Sequence, residues 1–352
     1  GIAVAALATI AAGEFNSAFN EIATLVDASD EQLDRFRETT LDYAASSTQS
    51  LQQITDATYA AISAGVEYDK VTGFVADAER LAVASKAELS ETVTLLASTL
   101  NAFGADATEA AEYADVLFQT VRFGQTTLPE LASSLAQVSS TALAAGLPFE
   151  TITAAVAELT AKGLPTSQAI TAIRAALSNI IKPSKEASDA AAELGIQFGV
   201  QALQSQGLEG LLVDLARVTG NNSDQLGLFF GPFEGLNGVI ALTANEAEGF
   251  RQKLDAMRDS TGAVDKAFDT MADNFELVNQ RISNAVTALL IESGEPLEER
   301  WALIGESVSG VFLALRDAVD QNAFSDIYSA IDEVTLRIVN ELKDVAAVLP
   351  EA

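Results

Sequence analysis

Hydrophobic and polar positions follow a helical period along most of the chain, and the sustained alternation typical of strands is nearly absent. Residues 29–32 read Ser-Asp-Glu-Gln, a capping box that predicts a helix running to about Ser47. The next helix is predicted over residues 51–64, with Gly65 placed to end it. The pattern therefore predicts an all-α protein.

Residues 30–245 contain a series of short helical segments, most of which stop at a glycine. Such glycines follow apolar-periodic runs over residues 91–103, 107–123, 128–145 and 148–162. Pro148 and Pro165 stand where a first helical turn tolerates proline. This pattern predicts a compact stack of short helices, and the predicted terminating glycines are Gly104, Gly124, Gly146 and Gly163.

The last third of the chain has a different pattern, with apolar residues spaced alternately by four and three. No glycine or proline stands between Gly262 and Ser293, so no break is predicted there. A repeat of this kind is typical of a heptad seam that packs against a partner helix. The seam positions are Val264, Phe268, Met271, Phe275, Val278, Ile282, Ala285 and Leu289, followed by Leu297, Trp301, Ile304, Val308, Val311 and Leu315. A third segment carries Phe324, Ile327, Ile331, Val334 and Ile338.

Two arrangements satisfy these seams. The three segments could form an antiparallel bundle within one chain, or the seams could be shared between identical chains. The change of pattern also divides the chain into three predicted regions. These are residues 1–28, an apolar helix expected to be the end of a longer one, residues 29–245, the short-helix core, and residues 246–352, the long heptad-patterned helices.

The strong negative charge of the chain limits the classes of molecule that it is expected to bind. The chain has 20 basic and 50 acidic residues, a formal net charge of -30. Such a balance disfavours binding to phosphate backbones or anionic lipid. Two explanations stay open: solubility or adaptation to a salty habitat, and a surface that repels DNA.

The residue inventory excludes most catalytic chemistry. With no cysteine and no histidine, thiol nucleophiles, zinc fingers and Ser-His-Asp triads are impossible. No EF-hand, Walker or G-x-G-x-x-G pattern occurs, and 50 acidic residues make any one carboxylate pair uninformative. We therefore predict no catalytic residues, no cofactor and no metal site.

Two local segments could be interpreted as binding sites, but the residues of each favour a structural role. Residues 229–238 are glycine-rich, but their only charge is Glu234, so a tight turn with Phe229, Phe230 and Phe233 in the core is predicted instead of an anion site. Lys182 and Lys185 flank a proline and are predicted to lie in a solvated helix–helix turn, with a docking contact for an acidic neighbour as the alternative.

The order of these segments resembles the conserved core of phage tail tape-measure proteins. The resemblance is carried by residues 15–65, 95–135 and 143–183, and by the short stretches AAELGIQF and FFGPFEGLNGVIAL. Each is a small-residue helix with a glycine end, and their order and spacing over roughly residues 15–245 make the pattern similar to that family. The chain begins with Gly1, and we expect it to be a portion of a longer polypeptide.

The resemblance implies a structural role in the virion. Proteins of this family occupy the lumen of the tail tube, set tail length during assembly, and are thought to leave at infection and help DNA enter the cell. The implied partners are further copies of the chain, expected as a trimer, the tail tube protein, distal tail or baseplate proteins and tail assembly chaperones. The resemblance implies no stable binding to nucleic acid. It does imply transient contact with the host membrane. Some members carry peptidoglycan hydrolase or metallopeptidase domains, but the histidine motifs of the metallopeptidase type are absent here.

Two other functions fit the sequence. One is a helical adaptor or assembly chaperone that binds an amphipathic partner in a groove. The other is a membrane-active protein whose apolar helices insert after release; residues 2–12 and 286–291 are the segments that would do so. No apolar run reaches the roughly 18–20 residues needed to span a bilayer.

Overall fold

A computed structural model describes residues 2–231, 234–272 and 275–293. In these residues every regular element is a helix, which confirms the all-α prediction. They include a single 3-10 helix, Ala107–Glu109. The α-helices are α1 Ile2–Ala23, α2 Asp30–Ser46, α3 Leu51–Ser63, α4 Val71–Ser85, α5 Leu89–Phe103, α6 Ala110–Phe123, α7 Leu128–Ser134, α8 Ala136–Ala144, α9 Phe149–Ala161, α10 Thr166–Ile181, α11 Lys185–Leu194, α12 Val200–Thr219, α13 Ser223–Phe230, α14 Glu234–Thr243, α15 Glu248–Arg258, α16 Ala263–Ala272 and α17 Phe275–Ser293.

The local signals for helix starts are confirmed. Ser29 caps α2 through the predicted capping box, in which Gln32 bonds back to the Ser29 amide. Ser50 and Gln53 form the same arrangement at the start of α3. Each box satisfies amides at the helix N-terminus that have no partner within the helix.

The predicted glycine stops are also confirmed, for two different physical reasons. Gly104, Gly146 and Gly163 adopt positive φ angles of 70°, 68° and 92°, which a residue without Cβ adopts without strain. Gly124 has extended backbone instead, and a Cβ there would lie 2.6 Å from the Thr160 hydroxyl oxygen. Gly124 is therefore needed for close packing.

The prediction of one unbroken helix over residues 128–145 is wrong, because the helical hydrogen-bond pattern is interrupted at Leu135 between α7 and α8. Leu135 keeps helical φ and ψ, but its carbonyl receives the Val138 amide, a tighter i to i+3 bond. The Ser139 hydroxyl also donates to the Leu135 carbonyl. The break is thus a local change from i→i+4 to i→i+3 hydrogen bonding, at a position without glycine or proline.

In the stretch from Gly262 to Ser293 the structure describes helix α16 to Ala272 and helix α17 from Phe275. Residues 273 and 274 lie outside the described residues, so the expectation of no break stays a prediction. A continuous heptad packing is not shown.

Helix α9 lies at the centre of the molecule. All of its residues from Thr151 to Thr160 are buried, although only half of a surface helix normally faces a core. Its side chains are mostly Ala, Thr, Val and Ile, which permit close approach by α6, α10, α14 and α15. The Ala-rich composition thus allows one thin helix to be packed on all sides.

The helices after residue 245 pack against the first half of the chain. α15 lies on α9 and α6, α16 on α4 and α6, and α17 on α1 and α2. The three-region division remains a prediction, and residues 294–352 lie outside the described structure.

Candidate functional site

Three acidic side chains in the described part of the chain are buried: Glu79, Asp115 and Glu158, with 3%, 7% and 3% of their surface exposed. Removal of a carboxylate from water is costly unless the charge is paired or hydrogen-bonded. Each of these acids lies on an early helix, at a point where a later part of the fold is attached. We therefore take them as the candidate functional residues of the described fold.

Glu79, on α4, organises the loop between α2 and α3. One carboxylate oxygen accepts hydrogen bonds from the hydroxyls of Tyr43 and of Ser47, the latter at 2.8 Å. The other accepts from the backbone amide of Thr48 at 2.7 Å and from its hydroxyl. Burial and the neighbouring Glu79 charge both raise the pKa of the Tyr43 phenol, so this hydroxyl stays a donor.

The opposite side of the same loop holds α17. The Asn284 amide nitrogen donates to the carbonyls of Ser47 at 2.9 Å and Gln49 at 2.6 Å. Asn284 is buried, and about 235 residues separate it along the chain from the two residues that it contacts. Glu79 thus fixes the loop on which the last described helix docks.

Asp115, on α6, caps α16 from outside that helix. Its two carboxylate oxygens accept from the backbone amides of Gly262 at 2.7 Å and Val264 at 2.8 Å. These amides lie at the positive end of the helix dipole, where a negative charge is favourable. Burial nevertheless raises the pKa of Asp115, because desolvation outweighs the two amide bonds.

Glu158, on α9, joins two later helices. Its oxygens contact the ammonium nitrogens of Lys162 at 2.8 Å and Lys253, on α15, at 2.6 Å. Lys162 also donates to the carbonyl of Ala241 near the end of α14, at 2.6 Å. Gly249 permits this approach, since a Cβ there would lie 2.4 Å from a Glu158 oxygen.

The predicted seam residues fall into three groups. Val264 is buried and its amide is bonded to Asp115, Val278 is buried, and Phe268 and Met271 are half-buried, all in helices that pack within the chain. Side-chain positions are not described for Phe275, Ile282 and Leu289, although α17 includes their backbone. Ala285 of α17 is half-buried. The remaining positions lie outside the described residues: Leu297, Trp301, Ile304, Val308, Val311 and Leu315, and in the third segment Phe324, Ile327, Ile331, Val334 and Ile338. The oligomer seam stays a prediction.

The two local segments have the predicted structural surroundings. Phe229 and Phe230 are buried before the turn at Gly231, and Phe198 packs on both, with ring centroids 4.9 and 5.8 Å apart. Phe233 lies outside the described residues. Lys182, in the turn between α10 and α11, and Lys185, the first residue of α11, are both exposed.

The three carboxylates were not singled out from the sequence. Glu158 gives a usable signal, because it is the only charge in the run TITAAVAELTA, whose other residues are small or apolar. Within residues 2–231, 234–272 and 275–293 no group of three or more carboxylates is placed to hold a metal ion. Across the same ranges no helix has the length and apolar character needed to cross a membrane.

Comparisons with known proteins place this fold in a viral context. The chain is 26% identical over 315 residues to a protein named tape measure protein from Pneumococcus phage Dp-1, covering 88% of this chain and 27% of that protein. It is 26% identical over 306 residues to one named probable tape measure protein from Clostridium phage phiCD119, covering 83% of this chain and 32% of that protein. The chain therefore spans about a quarter to a third of these relatives.

No solved structure matches the chain. A sequence model of one family, described as phage-related minor tail protein, matches residues 31–228, which run from α2 into α13 and make up more than half of the chain. Together with the two relatives, this match confirms the resemblance drawn from the sequence. The chain belongs to the family of phage-related minor tail proteins.

Proposed function

We propose that this chain is a structural segment of a phage tail tape-measure protein, occupies the tail tube and helps to set tail length. The observation that carries the proposal is the family match over residues 31–228, supported by two relatives whose names state the tape-measure role. The all-helical fold agrees with it, because an α-helix converts residue number into length at about 1.5 Å per residue.

The described fold and a straight helix differ greatly in the tail length they could span. A compact domain of about 290 residues has a radius of gyration of roughly 19 Å and is therefore about 50 Å across. The whole chain as one straight helix would measure about 530 Å. The contribution of this segment to a tail lies between these limits, and it depends on whether the helices stay packed inside the tube.

The net negative charge of the chain supports a location in a channel through which DNA later passes. A net charge of -30 disfavours stable binding to nucleic acid, so the protein would not retain the genome that passes after it. We propose that it leaves the tube at infection and assists genome delivery, with transient contact with the host membrane. The proposed partners are identical copies, as a trimer, together with the tail tube protein, baseplate proteins and tail assembly chaperones.

Tail length in phage that carry altered versions of this segment tests the proposal. One variant has four extra heptads inserted after Ser293, the last residue of α17 that the structure describes, and should lengthen tails by about 42 Å. The matched control carries a helical hairpin of the same residue number in the exposed turn at residues 182–184. Electron microscopy gives the mean tail length of each.

A longer tail from the heptad insertion alone means that the segment measures length while residues 30–245 stay folded. A longer tail from both means that the whole chain is extended in the tube. Normal tails from both insertions, in phage that assemble at normal yield, would contradict a length-setting role for this segment.

A further inference from the structure

The turn between α14 and α15 has an unusual backbone. Asn245, Glu246 and Ala247 are consecutive and have φ angles of 51°, 58° and 61°. Residues with a Cβ rarely adopt this left-handed region, and then mostly one at a time. Ten glycines in the described residues also have positive φ, but this turn contains none. The turn is therefore strained for the residues that form it.

The local sequence favours a different conformation. Residues 244–248 read Ala-Asn-Glu-Ala-Glu, with no proline and no glycine before Gly249. Alanine and glutamate are among the best formers of right-handed helix. A conflict between local preference and the observed conformation persists only where tertiary contacts impose it.

Those contacts converge on Glu158. Lys162, bonded to Glu158, also holds the Ala241 carbonyl near the end of α14. Lys253, bonded to the other oxygen, fixes α15 on α9. Phe250, Leu254 and Met257 of α15 are buried in the same packing. One buried carboxylate therefore holds the helices on both sides of the strained turn.

We propose that residues 244–247 are a hinge, and that Glu158 is its latch. When α15 leaves α9, the turn converts to right-handed helix and joins α14 and α15 into one continuous helix from residue 234 to residue 258. The conversion relieves the left-handed strain and exposes Glu158 and Lys253 to water. This inference concerns two packings of the chain in solution, so it stands or fails independently of the proposed tail role.

Electron–electron distance measurements between two spin labels test the hinge. The chain has no cysteine, so labels can be attached at N237C on α14 and D255C on α15, both exposed positions. In the continuous helix the two backbone positions lie about 27 Å apart. In the bent form, where α14 and α15 contact each other, the distance is shorter.

Glu158→Gln in the labelled full chain should raise the ratio of the long to the short distance at least about tenfold, because it leaves the partly buried Lys253 without its counter-charge. If that variant does not fold, Lys253→Met removes the same contact and keeps the aliphatic stem. It should then shift the ratio in the same direction.

Glycine substitutions give the matched control. In the latch variant, Glu246→Gly should lower the long-to-short ratio about fivefold, since glycine accepts the left-handed turn and disfavours helix. Gln252→Gly lies at an exposed position of α15, helical in both forms, and should leave the ratio unchanged.

Three results would overturn the hinge. The first is a single short distance in both latch variants. The second is a broad distribution without a peak near 27 Å, which means that α15 unfolds. The third is an equal effect of the two glycine substitutions on the ratio.

Discussion

At the scale of single residues, the fit of Gly249 against Glu158 is the tightest constraint on the attachment of α15. The carboxylate cannot swing aside easily, because its two oxygens are held by Lys162 and Lys253. We expect Gly249→Ala to lower the free energy of unfolding by about 1–3 kcal/mol, through overpacking against this group. Chemical denaturation measures the change.

The control for that prediction is Gly13→Ala in α1. A Cβ at Gly13 meets nothing within 4 Å, so alanine should stabilise the helix by about 0.5–1 kcal/mol. The two glycines are then expected to change stability in opposite directions. Equal losses at both positions would contradict the close contact at Gly249.

Glu79 supplies a second prediction at this scale. Its two oxygens receive four hydrogen bonds, from Tyr43, Ser47 and the amide and hydroxyl of Thr48. Glu79→Gln replaces one oxygen with an NH₂ group that faces donors, so two of these bonds are lost. We expect the free energy of unfolding to fall by about 2–4 kcal/mol.

The matched control for Glu79→Gln is Glu193→Gln, at an exposed position of α11. Its free energy of unfolding should stay within about 0.5 kcal/mol of that of the parent chain. Denaturant titration of the three proteins, fitted with a common slope, gives the comparison. A Glu79 variant as stable as the Glu193 variant would mean that the carboxylate is not needed to order the loop.

At the scale of elements, α17 depends on a small polar contact. Asn284 donates to the carbonyls of Ser47 and Gln49 in the loop between α2 and α3. We expect Asn284→Ala to increase amide hydrogen exchange in α17 at least about tenfold, because a buried amide-to-carbonyl pair is lost. The amides of α9 should exchange as before.

Ser283→Ala, the exposed neighbour on the same helix, is the control and should leave exchange in α17 unchanged. Mass spectrometry of peptides from both helices separates local release from general loss of stability. An equal rise in α9 and α17 would show that α17 does not open as a separate unit.

Helix ends were predictable where a single local interaction decides them. The capping box at Ser29 and the positive φ of Gly104 depend on residues within one turn, so the sequence carries their full signal. The break at Leu135 and the turn at residues 245–247 carry no glycine or proline that would mark them in the sequence. Lys253 could not be paired with Glu158 from sequence, since 95 residues separate them and only the fold brings them together.

At the scale of the whole molecule, two electrostatic effects of opposite sign compete. The net charge of -30 makes the folded chain repel itself, and dissolved salt screens that repulsion. Ten ion pairs are present among the described residues, and salt weakens them. Most have exposed side chains and contribute about 0–1 kcal/mol each. Repulsion among 50 acidic residues should therefore dominate.

We expect the thermal unfolding midpoint to rise by several degrees when NaCl is raised from about 10 mM to about 150 mM, over which the screening length falls from about 30 Å to about 8 Å. Choline chloride at the same ionic strength should give the same rise, because screening does not depend on which cation supplies it. A sodium-specific rise would instead indicate ion binding to the acidic surface. A midpoint that falls with both salts would mean that the weakening of the ion pairs outweighs the screening of the repulsion. The acidic residues would then be distributed over the molecule so that they do not destabilise the compact fold.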